Sequence, residues 1–299
     1  MNRPLVSIHI ITYNQIQFVH ETLASALNQD YDNLEIVVAD DGSTDGTAEI
    51  ILDYAKRYPS KIVPLVGGPN LGITGNSNRA LRACKGEYVA FQGGDDSFLP
   101  GKISKQVEWL EADKHRVLCY HNIDVYDSET GKTLYLWSEK FRFRNGNART
   151  VIRHGTFFGA SSVMVRHPKN LFFNEKISTA SDWFMWIEIL EKQSGSLGYV
   201  DGVYARYRRH ANNITVTGAH ALNDALATVD AVEELAPQKY KWECRQKRAE
   251  IYFLEAYQNL LGRNYLMVVS SLLRSLSACR GICVRPIGLL LSKMLGLKL

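Results

Sequence analysis

Short β-branched apolar runs alternate with stretches in which apolar residues recur every three or four positions, and this alternation over residues 5–113 restricts the chain to one broad architecture. Residues 5–11 (Leu-Val-Ser-Ile-His-Ile-Ile), 35–39 and 87–91 are predominantly apolar runs suited to buried strands, and 62–66 is a weaker one. Between them lie Val19, Leu23, Ala26 and Leu27, then Ile50, Ile51, Tyr54, Ala55 and Tyr58. Residues 76–84 form a further short helical stretch, and Ile103, Val107 and Leu110 follow Pro100 at helical spacing. Parallel strands need crossover connections, so the pattern predicts a parallel α/β sheet flanked by helices. Ligands of such sheets bind at the carboxyl ends of the strands, here residues 12–15, 40–45 and 92–98.

The rest of the chain reads differently. Residues 117–175 are mixed, with short strands expected at 117–120 and 162–165 around a polar stretch at 140–149. Residues 180–191 return to helical spacing, with Trp183, Trp186, Ile187 and Leu190 on one side, and from about residue 220 the pattern is helical to the end. The expected division is therefore residues 1–219 and a helical region at 220–299. With 299 residues, 45% of them apolar and 22% charged, the chain can bury a large core and is not a disordered sequence. A net charge of +4 is too small to indicate a nucleic-acid partner. Five cysteines, odd in number and without a C-x-x-C pair, point to neither a disulfide framework nor a zinc ribbon. Together with a first strand that starts at once, leaving no room for a signal peptide, they place the protein in the cytoplasm. The spacing of Cys279 and Cys283 reads as a helical coincidence.

Charge is unevenly spread. The 44 residues from Ala256 to Leu299 carry Arg263, Arg274, Arg280, Arg285, Lys293 and Lys298 and no acidic residue. Their apolar clusters are all interrupted before 18 residues accumulate, so amphipathic helices seated on the inner face of a membrane are expected rather than a span. The alternative is a helical subdomain that packs its apolar stripe on the rest of the chain.

Two motifs carry chemistry. Asp40-Asp41-Gly42-Ser43-Thr44-Asp45 follows a buried strand, where its residue types serve a turn and a helix cap, or accept hydrogen bonds from a base or ribose. Gln92-Gly93-Gly94-Asp95-Asp96-Ser97 repeats the arrangement after another strand. Its glycines permit close backbone approach, and its carboxylates suit a hard divalent cation that shares coordination with substrate phosphates. Both motifs fall at the same edge of one sheet, which favours a nucleoside diphosphate with a metal.

The sequence resembles the family 2 glycosyltransferases, which have the GT-A fold. The resemblance rests on residues 6–14, on Glu35 through Thr47, on Asn70-Leu71-Gly72, on Gly86-Glu87-Tyr88-Val89-Ala90-Phe91 leading into Asp95-Asp96, and on Ser181-Asp182-Trp183. It implies an inverting transfer of a sugar from a nucleotide-sugar donor, a UDP-sugar in the first instance, to a glycan or lipid-linked acceptor in surface polysaccharide synthesis. Thr12 and Tyr13 would line the nucleotide pocket with Asn14, Asp40, Asn70 and Asp95, and Asp41 would contact the base. Asp95-Asp96 would be the DXD-type motif with Asp96 as ligand to Mn²⁺ or Mg²⁺, and Asp182 would be the catalytic base. Tyr207-Arg208-Arg209-His210 looks like the element that faces the diphosphate or acceptor. Two departures stand out: Gly93 where many members have Asp, and Ser77 where many have a basic residue, which shifts charge neutralisation towards Arg208, Arg209 or Arg79.

The chemistry of the reaction fits these residues. An inverting transfer needs one carboxylate to take the acceptor proton, and a metal-bound diphosphate leaves without a general acid. For Asp182 the competing expectation is a helix-start residue favoured by the macrodipole. His9 reads as a core histidine, Trp183 and Trp186 as packing residues, and residues 154–161 as either an acceptor-side wall or core. Two other functions remain in view. A nucleotidyltransferase would need a glycine-rich basic loop after the first strand, and Thr12-Tyr13-Asn14-Gln15 is not one. A non-catalytic sugar-nucleotide binder would have no use for Asp41, Asp95, Asp96 and Asp182 together.

Overall fold

Four strands form the parallel half of the sheet. In the computed structural model, which describes residues 3–179, 181–211, 213 and 221–279, β1 (Val6–Thr12), β2 (Leu34–Asp40), β3 (Ile62–Leu65) and β4 (Tyr88–Gly93) lie in the order β3-β2-β1-β4, all parallel. Every residue of β2 is buried, as the apolar run at 36–39 of a strand covered on both faces requires. The crossovers pass through α1 (Val19–Leu27), α2 (Thr47–Arg57) and α3 (Gly72–Ala83). Val19, Leu23 and Ala26 of α1 and Ile51 and Tyr54 of α2 turn inward at helical spacing. The third helix begins four residues before the stretch read from the sequence. Its first turns bury Thr74, Asn76 and Asn78, whose side chains reach the carbonyls of Ile177 (2.8 Å), Ala39 (2.9 Å) and Phe173 (2.9 Å). Polar residues that bury by finding backbone partners leave no apolar stripe to read.

The second half of the sheet is mixed. Beyond β4 come β8 (Met164–Arg166), β6 (Arg116–Asp127), β9 (Ser196–Arg209) and β5 (Ser97–Phe98), while β7 (Thr133–Leu136) pairs with β6, making nine strands. Strand β8 is antiparallel to both β4 and β6, and β9 runs parallel to β6 and antiparallel to β5. The strand expected at 117–120 extends to Asp127, the one expected at 162–165 shrinks to three residues after a 3₁₀ turn at Ala160–Ser162, and β9 was not expected at all. Most of its residues are half-buried and Gly198 and Gly202 interrupt it, so neither a period of two nor an apolar run marks it. Helix α4 (Lys102–Glu111) follows β5, and α5 (Trp137–Lys140), α6 (Ala148–His154) and α7 (Ser181–Lys192) come later. Phe157 and Phe158 are buried against Tyr120, with ring centroids 5.6 and 4.7 Å away, so they are core rather than an acceptor wall.

The chain divides into two compact units, one of residues 1–151 with 156–218 and one of residues 152–155 with 219–299. The whole sheet belongs to the first. In the second, α8 (Ala221–Leu235), α9 (Lys241–Leu261) and α10 (Tyr265–Ala278) are helical. Helix α10 buries Val268, Ser271 and Ser275, and Ser275 Oγ donates to the Ala249 carbonyl of α9 at 2.8 Å. Its Leu266, Val269 and Leu273 are exposed, Leu266 to 86%. Among the described residues no helix is long and apolar enough to cross a membrane, and Cys84, Cys119 and Cys244 are free thiols. Arg280, Arg285, Lys293, Lys298, Cys283 and the last apolar clusters lie outside the described residues.

His9 is a core histidine. Its Nε2 meets the Ser77 carbonyl at 2.9 Å, its ring lies 5.0 Å from Phe91, and burial lowers its pKa to about 4. The unfolded chain takes up this proton near pH 6.5, so the stability that comes from keeping His9 neutral is full above that pH and is lost as pH falls towards 4, on the order of 3 kcal/mol. In His9→Gln, thermal unfolding followed from pH 7 to pH 4.5 is expected to lose a correspondingly smaller part of its stability than the wild type.

Candidate functional site

Three parallel strands end side by side. In register, Thr12 pairs with Asp40 and Ile11 with Gly93, so the carboxyl ends of β1, β2 and β4 form one edge. The chain turns from β1 towards β2 and β3, then returns to β4 on the other side of β1, so this edge is a topological switch point, where α/β sheets open a crevice for ligands.

At the β1–β2 side the polar residues are laced together. Asp40, 1% exposed, accepts from Thr12 Oγ1 at 3.0 Å and from the Ser43 N–H and hydroxyl at 2.9 and 2.5 Å. Asn14, held at φ +50°, donates its N–H to Ser43 Oγ (2.8 Å) and accepts from the Thr44 N–H (2.9 Å). Asp45 caps α2 through Thr47 and takes the Ile16 N–H at 3.0 Å. Asp41 accepts the Leu71 N–H at 2.7 Å, and Asn70 Nδ2 donates to the Asp41 carbonyl at 3.0 Å. Arg79 binds the Asp40 carbonyl at 3.2 Å. Asp40 and Asn14 thus spend their polar atoms on the loops themselves, while Tyr13 stands half in solvent.

At the β4 side the turn is packed against β1. A Cβ on Gly94 would lie 2.0 Å from Gln15 Oε1, 2.5 Å from Thr12 Cγ2 and 2.7 Å from the Ile11 carbonyl, so only glycine fits. Asp96 is buried, its Oδ2 taking the Ser161 hydroxyl and its Oδ1 the Arg208 N–H at 3.1 Å. Burial, and then the neighbouring Asp95, push its pKa well above the ordinary carboxylate value. Asp95 is more open. Its Oδ2 meets His210 Nε2 at 3.0 Å and Asn213 Nδ2 at 3.3 Å. Arg208 is spent internally: Nε donates to the Asp95 carbonyl at 2.9 Å, Nη2 pairs with Glu21, and the guanidinium lies between the rings of Phe18 and Tyr126. Arg209 lies 5.3 Å from the centroid of the Tyr207 ring. The structure therefore gathers Asp95, Asp96, Arg208 and His210 into one network and places Thr12, Asn14 and Asp40 in a second at the neighbouring strand ends.

Asp182 lies in the first turn of α7. Its Oδ1 accepts the N–H of Trp183 at 2.9 Å, and desolvation raises its pKa. Next to it, Ser181 Oγ contacts Thr74 Oγ1 at 3.0 Å, which fixes this helix start against α3. Trp183 donates to the Val151 carbonyl at 3.0 Å and Trp186 packs edge-on against Phe91, so both are packing residues.

Among the described residues no three His, Cys, Asp or Glu side chains converge as a metal cage. The donor set that is present, adjacent carboxylates with an imidazole against one of them, fits a hard divalent cation that completes its shell from phosphates and water. Three residues of this network were not read from the sequence: Ser161 as the partner of Asp96, Asn213 as a partner of Asp95, and Glu21 as the partner of Arg208. Each is far along the chain from the residue it serves, and none lies in a motif.

Comparison with known proteins gives this architecture a family context. The model of glycosyl transferase family 2 matches residues 7–171. An uncharacterized protein of Mycobacterium tuberculosis (strain ATCC 25618 / H37Rv) is 30% identical over 211 residues, 70% of this chain and 60% of that protein, so the chain spans about 60% of the length of that relative. The UDP-Glc:alpha-D-GlcNAc-diphosphoundecaprenol beta-1,3-glucosyltransferase WfaP of Escherichia coli is 41% identical over 110 residues, 37% of this chain and 43% of that one. Among solved structures, the mannosyltransferase PcManGT from Pyrobaculum calidifontis in complex with GDP-Man and Mn²⁺ superposes with a TM-score of 0.62 at 17% identity, covering 98% of this chain and 80% of that one.

The tight seat of Gly94 is directly testable. Gly94→Ala must push the β4 turn away from β1, at an expected cost of about 1–3 kcal/mol in denaturant unfolding.

Proposed function

The chain belongs to glycosyl transferase family 2 and has the GT-A fold, and from that premise we propose that it is a metal-dependent, inverting hexosyltransferase that moves a sugar from a UDP-sugar to a glycan or lipid-linked acceptor in surface polysaccharide synthesis. The observation that carries this reading is the Asp95-Asp96 turn, braced at the switch point of the sheet beside Thr12, Tyr13 and Asp41. The E. coli relative, whose name gives a UDP-Glc donor and a diphosphoundecaprenol acceptor, supports the choice of donor and acceptor class. The archaeal neighbour with GDP-Man and Mn²⁺ supports a nucleotide sugar with a divalent metal.

In this mechanism Tyr13 and Asp41 face the nucleoside, while Asp40, Asn14 and Asn70 keep the loops that present them in place. Mn²⁺ or Mg²⁺, when bound, stabilises the negative charge of the departing diphosphate. The sequence nominates Asp96 for that ion. With both Asp96 oxygens taken by Ser161 and Arg208, we assign the direct contact to Asp95, with His210 beside it and Asp96 holding the turn. Arg208 orders Asp95 from behind, and Arg209 and His210, of the same element, are assigned to the diphosphate or acceptor side. Asp182 takes the acceptor hydroxyl's proton as that oxygen attacks the anomeric carbon. Its raised pKa brings it closer to the strength of a working base, so transfer should fall as pH drops through that raised value.

The assignment of Asp182 predicts a split between binding and chemistry. Asp182→Asn should bind the nucleoside diphosphate as the wild type does in calorimetry and lose transfer by ~10²-fold or more. Transfer within a factor of ten of wild type removes Asp182 as the base.

The second unit supplies our reading of location, peripheral on the inner face of the cytoplasmic membrane. Helix α10 turns Ser271 and Ser275 inward and Leu266, Val269 and Leu273 outward, the reverse of an ordinary surface helix. Residues 256–299 contribute six basic and no acidic side chains, which suits an anionic lipid surface. The double variant Leu266→Asp with Leu273→Asp should keep the wild-type melting temperature and lose salt-sensitive co-sedimentation with phosphatidylglycerol vesicles. Unchanged co-sedimentation dismisses the membrane role.

A further inference from the structure

Behind the Asp95-Asp96 turn lies a fully buried lysine. Lys102, the first residue of α4, is 0% exposed, and among the described residues no carboxylate pairs with it. Its ammonium instead meets three electron-rich groups: His121 Nε2 at 3.1 Å, the Ser161 carbonyl at 3.1 Å, and the face of Phe98 at 4.4 Å from the ring centroid. The chemistry of His121 follows. Its Nδ1 lies 2.7 Å from the Asn122 carbonyl, which can only accept, so Nδ1 carries the proton and Nε2 is the lone-pair acceptor that Lys102 needs. Burial holds His121 well below its ordinary pKa, in keeping with a neutral ring, and lowers Lys102 to about 7.

This arrangement grips one segment. One turn along α4 from Lys102, Gln106 Nε2 donates to the Ser162 carbonyl at 2.8 Å, so a single helix face holds two successive carbonyls of the 3₁₀ turn. From that turn the Ser161 hydroxyl accepts the Gly93 N–H at 3.2 Å and donates to Asp96. Ser161 thereby joins the buried ammonium, on its carbonyl, to the acidic turn, on its hydroxyl. Burying an amino group this deeply is costly, and an apolar side chain would fill the same space more cheaply. The polar group stands where it fixes the Ser161 carbonyl, and with it the hydroxyl that meets Asp96.

We propose that Lys102 is a positioning residue for the acidic turn: by fixing Ser161 it orients Asp96, and so sets how tightly the Asp95-Asp96 turn holds a divalent cation. The proposal rests on the reading of that turn as the metal site. Partners standing behind a metal ligand commonly change metal affinity by 10–100-fold.

The test reads binding without turnover, by titrating Mn²⁺ into the full-length chain in the presence of UDP and following free Mn²⁺ by electron paramagnetic resonance. Lys102→Met, with a near-ultraviolet circular dichroism spectrum like that of the wild type, is expected to bind Mn²⁺ ~10-fold more weakly or worse. Ser161→Ala should do the same, and the double variant should be no weaker than the poorer single one, because both act on one route. Gln106→Ala, which releases Ser162 and leaves Ser161 held, should lower the melting temperature without moving Mn²⁺ affinity. If Lys102→Met does not fold, Lys102→Gln takes its place with the same expected loss. Wild-type Mn²⁺ affinity in the Lys102 variant, or losses that multiply in the double variant, overturn the proposal while leaving the metal site standing. Absence of Mn²⁺ binding by the wild type overturns both.

Discussion

The buried carboxylate of Asp96 is the point on which the two halves of the sheet depend. It ends the parallel half, just after β4, and both of its oxygens are held by the mixed half, one by Ser161 before β8 and one by the Arg208 N–H of β9. Its carbonyl is held as well, by Thr22 Oγ1 of α1 at 2.9 Å and Gln92 Nε2 at 3.1 Å. A carboxylate so deep in protein is unfavourable on its own, and its raised pKa records that cost. It persists because removing it would leave several buried donors without an acceptor, which is a larger penalty than the modest net worth of each hydrogen bond.

Arg208 extends the same logic outward. Its main chain binds Asp96, its Nε binds the Asp95 carbonyl, and its guanidinium is flanked by Phe18 and Tyr126 and paired with Glu21. A residue used at three levels, backbone, side-chain hydrogen bond and ion pair, leaves the acidic turn little freedom to rearrange. That rigidity suits a reaction in which charge develops on a departing diphosphate, since dipoles and charges already in place need no reorganisation as the bond breaks. It also explains how β9, a strand whose sequence lacks any clear pattern, comes to be fixed. Its register is set by the residues it serves at its end as much as by its own burial.

The parallel half was legible because a strand covered on both faces is largely apolar, as in residues 36–39, and such runs survive in one dimension. Helix α3 was only partly legible, since Thr74, Asn76 and Asn78 bury by hydrogen bonding to backbone carbonyls and leave no stripe. Within the site, the sequence gathered the right neighbourhoods and could not divide the labour inside them. Asp40 and Asp41 are adjacent, yet one is consumed by Thr12 and Ser43 while the other reaches Leu71. Asp95 and Asp96 differ in the same way. Ser161 and Lys102 were illegible because their partners are 65 and 59 residues away and neither sits in a motif whose chemistry announces it.

The glycine at position 93 can be understood in the same electrostatic terms. A side chain there would begin 2.9 Å from Asp95 Oδ1 and 3.2 Å from Asp96 Oδ2, so a third carboxylate would crowd a pair in which burial, and then the charge of Asp95, already raise the Asp96 pKa. With glycine, the turn carries two carboxyl groups rather than three, and Arg208 is already committed to Glu21. With the turn as the proposed metal site, ionisation of Asp96 and occupancy by a cation would be linked. Anything that brings positive charge to the turn favours the carboxylate over the acid, and by the same free energy the ionised carboxylate favours that positive charge. The fold leaves this balance poised by supplying hydrogen bonds to Asp96 from Ser161 and the Arg208 backbone, while among the described residues no full set of protein ligands closes around Asp95.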